Sequence, residues 1–435
     1  MKINALLDVN VVAHEAADEV AVLLEVVAPP APASATRPQA SLQVVLDRSG
    51  SMQGAPLEGA KKALIALVRR LEPTDNFGLV TFDDSAQVVV PAGSLTDKEA
   101  VVQRIEGIDA GGTTDLSAGY LRGLREIRRV AGDTGGTVLV ISDGHVNAGI
   151  RGVDEFASIT AKAYGEKIVT STLGYGRGYD ETLLAGIARS GSGNHVFADN
   201  PDAAGAAIAG EVDGLLNKVV QALSLTITFA PQVEFLRLYN DLPATQIGDG
   251  QVMVELGDLY AEETRKVLVK FKVPAMAALG LAKIATLELA HVELPALIEH
   301  VASLPITVNV VPGDEAAGRV PHPTVHSEVL FQEAQDVKRQ ASEAFERGEF
   351  ETGQRLIGQT KARLTASLEA APEELKPEIR AEIDEVSHLE GYSQTTGVVG
   401  SAYISKMSRE SYHRSSRKRG RTVRPDPFAN GEGDA

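Results

Sequence analysis

The sequence predicts a doubly wound α/β domain with a parallel sheet, inserted in or flanked by an all-β, sandwich-like domain and followed by a helical hairpin. Three observations predict this. From residue 41 to about 205, apolar strand-like runs alternate with segments of helical periodicity, an order that builds a parallel sheet covered on both faces. Past residue 220 the runs become short and β-like, broken by turn-forming residues. From about residue 324 the apolar residues return to helical spacing.

The segments follow in order. Residues 19–27 read as a strand, and residues 28–40 as a linker containing Pro29, Pro30, Pro32 and Pro38. Strands are expected at 42–46, 76–82, 137–141 and 167–173, and helices at 56–71, 116–130 and 153–164. The first helix places Leu57, Leu64, Leu67, Val68 and Leu71 on one face, with Pro56 in its first turn. Strands of the all-β part are expected at 223–229, 233–239, 252–256, 264–273, 284–292 and 306–310. A lone strand is unstable, so residues 19–27 should pair with strands beyond 220, which makes the α/β domain an insertion. Val329, Val337, Ala341 and Phe345 stripe one helix, Gly348 breaks it, and Phe350, Leu356, Ile357 and Leu364 stripe the next. The expected units are 1–40 (strand and linker), 41–215 (α/β), 216–315 (all-β), 320–392 (helical hairpin) and 393–435 (a flexible basic tail).

Composition removes whole classes of function. The 435 residues include no cysteine, which excludes a disulfide scaffold, a thiolate zinc site and a cysteine nucleophile. The same absence fits a reducing compartment, and a cytoplasmic location is expected. No run approaches the roughly 18–20 apolar residues that span a bilayer, and Met1-Lys2-Ile3-Asn4 opens no signal-peptide core. A net charge of −17 opposes general nucleic-acid binding. The local exception runs from Lys406 to Arg424, with eight basic residues against the single acid Glu410. A solvated tail is the expectation there, with contact to nucleic acid as the other reading.

Three short pieces carry the chemistry. Asp47-Arg48-Ser49-Gly50-Ser51 follows an apolar strand and precedes a helix. Gly111-Gly112-Thr113-Thr114-Asp115-Leu116 leads into the next helix, and Ser142-Asp143-Gly144 ends another strand. All three lie at strand C-termini or helix N-termini, which share one rim of an open α/β sheet. Hydroxyl and carboxylate oxygens suit a hard cation such as Mg²⁺. Gly50 lets two serines two residues apart turn toward one centre. Asp47 and Asp143 supply negative charge, and a site rich in neutral hydroxyls leaves the cation able to accept a carboxylate from another molecule.

These residues resemble the metal-ion-dependent adhesion site of von Willebrand factor A domains, and the resemblance covers about residues 41–205. It implies a Rossmann-like domain whose metal ligands are Ser49, Ser51 and Thr114, with Asp47 and Asp143 acting directly or through water. Thr113 is the alternative to Thr114; the family's threonine is usually followed by an acid or amide and then Leu or Ile, which favours Thr114. The wider arrangement is similar to bacterial cytosolic relatives of inter-α-trypsin inhibitor heavy chains. The implied cofactor is Mg²⁺, or else Mn²⁺ or Ca²⁺, and the implied partner is a protein supplying Glu or Asp.

Other motifs read blandly. Gly54-x4-Gly59-Ala60-Lys61 falls short of a phosphate loop, because Pro56 and an extra residue before the lysine break its spacing. Gly174, Gly176 and Gly178 fall on too late a strand for a dinucleotide fingerprint. His145 reads as a loop histidine, and Asp83, Asp84 and Asp115 as solvated loop charge or an extension of the rim. The expected function is a non-enzymatic, metal-dependent protein-interaction module of adhesion or scaffold type. The alternative is a metal-dependent hydrolase using a metal-bound water, for which no general base or Ser-His-Asp set can be ordered around the site.

Overall fold

The computed structural model describes residues 1–31, 37, 39–143, 146–176, 178–198 and 200–416. Pro32, Pro38, Gly144, His145 and the basic residues from Arg417 to Arg424 lie outside the described residues. The chain begins with β1 (Lys2–Leu7), β2 (Val11–Ala13) and β3 (Asp18–Val27). An α/β stretch follows: β4 (Ser41–Asp47), α1 (Ala55–Arg70), β5 (Asn76–Phe82), β6 (Ala86–Ser94), α2 (Lys98–Glu106), α3 (Leu116–Ile127), β7 (Gly136–Ser142), α4 (Val153–Gly165), β8 (Ile168–Tyr175), α5 (Glu181–Ser190), β9 (Ser192–Ala198) and α6 (Pro201–Leu216). Strands then return as β10 (Lys218–Phe229), β11 (Glu234–Leu238), β12 (Ala244–Gly248), β13 (Gln251–Tyr260), β14 (Thr264–Val273), β15 (Gly280–Glu293) and β16 (Ile298–Val311). The short α7 (Gly313–Ala317) precedes α8 (Pro323–Glu346), α9 (Phe350–Ala370), α10 (Lys376–Thr396) and α11 (Ser401–Ser416).

Among the described residues these strands form three sheets. The α/β sheet runs β6-β5-β4-β7-β8-β9, parallel except for β6, which is antiparallel at one edge. The central strands β4, β5 and β8 are buried at every position, as expected where helices cover both faces. Leu57, Leu64 and Val68 of α1 pack on one face with Ile105 of α2 and Ile208 of α6. Tyr120 and Leu124 of α3, Phe156 of α4 and Leu184 and Ile187 of α5 pack on the other.

The other two sheets, ordered β1-β3-β14-β11 and β12-β13-β10-β15-β16-β2, face each other as a sandwich. The expected pairing of residues 19–27 is present: β3 lies antiparallel to β14 over its full length, with Leu23 opposite Leu268. Both faces of β3 are covered. Val20, Val22, Leu24 and Val26 enter the sandwich core, while Ala21 and Leu23 pack with Val325 of α8. That explains a continuous apolar run where alternation would mark a half-exposed strand. The α/β domain is therefore an insertion between β3 and β10. Its entry and exit share one turn: Ala28 donates to the Glu263 carbonyl, Glu262 donates to the Pro29 carbonyl, and Ala261 donates to the Asn217 carbonyl.

The structure corrects the expected C-terminal region. The hairpin of α8 and α9 is extended by α10 and α11, and residues assigned to a flexible tail form the docked helix α11. Its Ser/Arg-rich composition hid an apolar face: Tyr403 and Met407 join the α/β core, and Ile404 joins the helical core. Small residues allow close approach to α8, where Ser342 and Ser405 each donate to the other's carbonyl at 2.9 and 3.0 Å. The basic residues meet acids of other helices, of which Glu181 is buried. Arg409 pairs with Glu181 at 3.3 Å and Glu346 at 2.8 Å, and Arg414 pairs with Glu385. Lys406 donates to the Tyr179 carbonyl at 3.0 Å and lies 3.8 Å from that ring's centre. The sequence window showed the cations without the acids, which come from α5, α8 and α10. Among the described residues, no helix is long and apolar enough to cross a membrane.

Two predictions follow from this docking. Removing residues 401–435 should lower the melting temperature by about 5 °C or more, since it uncovers apolar surface and takes Lys406 and Arg409 away from the buried Glu181. An unchanged calorimetric transition would show that α11 does not dock. The second concerns Glu382, which is buried and paired with Lys338 of α8. Burial pushes its carboxyl up, but the charges of Lys338 and Arg414 outweigh this and hold it well below the usual range. A depressed folded-state pKa stabilises above the unfolded pKa of about 4.3 and loses that contribution as pH falls through the folded value. Glu382→Gln should cost about 3–5 kcal/mol at pH 7, with the gap from wild type narrowing below about pH 4. Chemical denaturation across pH reads this; a gap constant down to pH 2 contradicts the pairing.

Candidate metal centre

Asp47 ends the central strand β4 and is fully buried. Its Oδ1 accepts the Ser49 backbone N–H at 2.8 Å, and its Oδ2 accepts the Ser142 hydroxyl at 2.6 Å. Ser142 ends β7, whose register sets Ile141 beside Leu46, so the carboxyl ends of two adjacent parallel strands are tied through Asp47. Ser49 caps the single 3₁₀ turn Gly50–Met52. Its Oγ lies 3.1 Å from Ser51 Oγ, and Ser51 Oγ donates to Asp143 Oδ1 at 2.8 Å. Ser49, Ser51 and Asp143 thus form one connected line of oxygens above the buried Asp47.

The Thr114 loop is fastened to this turn. Gly50 N–H reaches the Gly112 carbonyl at 3.2 Å, and Gly111 N–H reaches the Arg48 carbonyl at 2.8 Å. Thr113 is exposed, whereas Thr114 is buried. The Thr114 N–H donates to Asn147 Oδ1 at 2.9 Å, and its carbonyl accepts the Asn147 and Ala148 N–H groups at 3.2 Å. The Thr114 hydroxyl has no recorded hydrogen bond among the described residues. Asp115 has a local task as the cap of α3: its Oδ1 accepts the Ala118 N–H at 2.9 Å and the Ser117 hydroxyl at 2.6 Å. Asp83 holds the Ser85 N–H at 3.0 Å and pairs with Arg48 at 2.7 Å, while Asp84 is exposed.

The electrostatics favour a cation. Burial is the main influence pushing Asp47 up, with hydrogen bonds from Ser142 and Ser49 opposing it and the Asp83 charge adding to it. Burial also pushes Asp143 up to about 6; the Ser51 hydrogen bond opposes this, and the Asp47 charge contributes. The neighbouring guanidinium, Arg48, is directed at Asp83. Two carboxylates therefore converge with neutral donors as their recorded hydrogen-bond partners, and a cation would restore their ordinary acidity. Among the described residues, no group of three His, Asp or Glu side chains is placed to hold a metal. The Ser49 and Ser51 hydroxyls with the two carboxylates are oxygens of the kind a hard divalent ion takes, and the Thr114 loop is fastened beside them.

Residues 42–206 match the family model of the von Willebrand factor type A domain. The chain carries a von Willebrand factor A domain. The chain is 27% identical over 237 residues to the uncharacterized protein sll0103 of Synechocystis, covering 53% of this chain and 56% of that protein. It is 25% identical over 173 residues to inter-alpha-trypsin inhibitor heavy chain H1 of Mesocricetus auratus, covering 38% of this chain and 19% of that one. The chain thus spans about half or less of these relatives. Among solved structures, the von Willebrand factor type A protein from Catenulispora acidiphila superposes with a TM-score of 0.70 at 14% identity, over 87% of this chain and 89% of that one. At that identity the likeness is one of fold, and it extends beyond the A domain.

Sequence reasoning missed two positioning residues of the A domain. Ser142 was visible as the neighbour of Asp143, but its bond to Asp47 depends on strand register. Asn147 clamps Thr114 from a loop whose path the sequence does not signal. Lys61 turns away to Glu58 and the Glu106 carbonyl, so the near-match to a phosphate loop has no cradle. Gly174 gives space to the Tyr179 ring, and a Cβ at Gly178 would sit 3.6 Å from the Asp143 carbonyl oxygen.

Gly112 offers a direct test of this packing. Its φ is +75°, and a Cβ there would fall 2.8 Å from Asp84 Oδ1 and 2.9 Å from Asp83 Cβ. Gly112→Ala should cost about 1–3 kcal/mol and speed amide exchange at Thr114 and Asn147. Wild-type melting and exchange would contradict the geometry of the loop.

Proposed function

We propose that the A domain is a non-enzymatic protein-binding module that engages a Glu or Asp of its partner through a divalent cation, Mg²⁺ first and Mn²⁺ or Ca²⁺ as alternatives. Ser49, Ser51 and Thr114 would hold the ion directly, with Asp47 and Asp143 behind them. The carrying observation is the hydrogen-bonded line from Ser49 through Ser51 to Asp143 over the buried Asp47. When bound, the ion supplies an electrophilic centre for an anionic oxygen. The chain does the rest. Asp47 spends both oxygens on the Ser49 N–H and the Ser142 hydroxyl, which orients the serine turn. Asn147 and the Gly50–Gly112 bond hold the Thr114 loop beside it. Neutral hydroxyls leave positive charge uncompensated, so an incoming carboxylate is favoured and a Lys or Arg is repelled.

Calorimetry with MgCl₂ should show one site on wild type. Ser49→Ala/Ser51→Ala should weaken it more than about tenfold, a loss of about 1.4 kcal/mol, while the metal-free variant still folds and melts in one cooperative transition. Capture of partners should require Mg²⁺ and fail in EDTA, and a Glu→Gln change on the partner should abolish it. Equal metal affinity in the double variant would sink the assignment.

A further inference from the structure

A groove of about 580 Å³ runs beside the candidate metal centre, between β6 and α3. Ala86 and Val88 line it from the strand, and Ala118, Leu121, Arg122 and Arg125 from the helix. Its near end is formed by residues that follow the loops bordering the centre. Ala86 follows the Asp83–Ser85 turn, whose Asp83 carbonyl accepts the Asp115 N–H at 2.7 Å, and Ala118 is held by the Asp115 side chain just past Thr114. β6 is the edge strand of its sheet.

The charge along the groove changes sign. Asp83, Asp84 and Asp115 belong to the two turns that meet at the near end, where Asp83 is paired with Arg48. The far end is basic in a chain whose net charge is −17. Arg122 and Arg129 share the single carboxylate of Glu126, at 3.2 and 2.9 Å, and Arg125 makes no ion pair among the described residues. Between the ends the wall is mixed: Val88 is half-buried, Leu121 is exposed at 37%, and Gln87 adds a polar side chain. An anionic group that has passed the rim meets guanidinium groups able to take a carboxylate with two parallel hydrogen bonds.

We propose that the partner is an extended acidic polypeptide segment: one carboxylate reaches the metal centre, the chain follows the groove between β6 and α3, and a second carboxylate binds Arg122 and Arg125. This rests on the metal-dependent reading above. It also sets a spacing. Thr114 and the two arginines are separated by about 12–16 Å along the helix rise. An extended chain covers that in about four to five residues at about 3.3 Å each. The segment therefore carries two acids about four to five residues apart, with β-branched or other apolar residues between them facing Val88 and Leu121.

The probes are fluorescein-labelled synthetic peptides of Val and Thr with one Asp and a Glu five residues later, compared with peptides carrying Lys at the second position or the Glu only two residues away. Anisotropy titrations use the full chain in Mg²⁺ and in EDTA. The five-spaced peptide should bind wild type at least tenfold tighter than either control. Arg122→Ala/Arg125→Ala, and Arg125→Glu alone at its exposed position, should erase that advantage without changing the calorimetric affinity for Mg²⁺, and the Arg125→Glu variant should keep the wild-type melting temperature. Equal binding of all three peptides, or no binding by any, overturns the groove, and Mg²⁺ calorimetry then judges the metal reading separately. An arginine-dependent advantage that persists in EDTA and in Ser49→Ala/Ser51→Ala keeps the groove and overturns the metal reading.

Discussion

The structure is organised around one buried carboxylate. Asp47 lies at the end of a strand that helices cover on both faces, where an unpaired charge costs several kcal/mol. Its two oxygens are satisfied inward, by the Ser49 N–H and the Ser142 hydroxyl. Those two bonds decide what faces out. They curl the chain after β4 so that Ser49 and Ser51 present hydroxyls at the rim, and they hold the end of β7 so that Asp143 arrives beside Ser51. Neutral donors offset only part of the charge, and burial still pushes Asp47 and Asp143 up.

The surroundings keep that arrangement from relaxing. Asp115 caps α3 and returns its N–H to Asp83, so the Thr114 loop cannot slide along the helix axis without losing both. On the other side of the centre, a Cβ at Gly178 would meet the Asp143 carbonyl oxygen at 3.6 Å, and the Tyr179 carbonyl is held by Lys406 of α11. The sandwich grips the domain at its opposite end, where the turn joining β13 and β14 contacts both the entry and the exit strand. A rim mounted at both ends on rigid elements is better suited to positioning oxygens than one carried on free loops.

The parts of this that the sequence disclosed are those coded by neighbours along the chain. Strands β4, β5, β7 and β8 appear as apolar runs because a parallel strand is buried on both sides. The three site motifs appear because each sits at a strand end or helix start. β6 and β12 were missed, since their exposed, mixed faces lack a clear period. Ser142 and Asn147 escaped because their partners, Asp47 and Thr114, are 95 and 33 residues away. The largest error, α11, has the same cause. Lys406, Arg409 and Arg414 look solvated until Glu181, Glu346 and Glu385 are brought to them by other helices.

Those ion pairs specify more than they stabilise. Burial outweighs pairing on both sides of the Lys406–Glu181 contact: the lysine is lowered and the glutamate raised, each toward its neutral form. A well-packed apolar helix would cover the same surface at less electrostatic cost. What charge adds is register. Lys406 finds a carbonyl, Arg409 finds Thr182 and two carboxylates, and Lys338 of α8 finds both Glu382 and Ser411. Sliding α11 by one turn would leave Lys406 and Arg409 buried without their partners, at several kcal/mol apiece, and would take Ser411 away from Lys338. The helix therefore has one seat, and that seat fixes the loop beside Asp143 in one position.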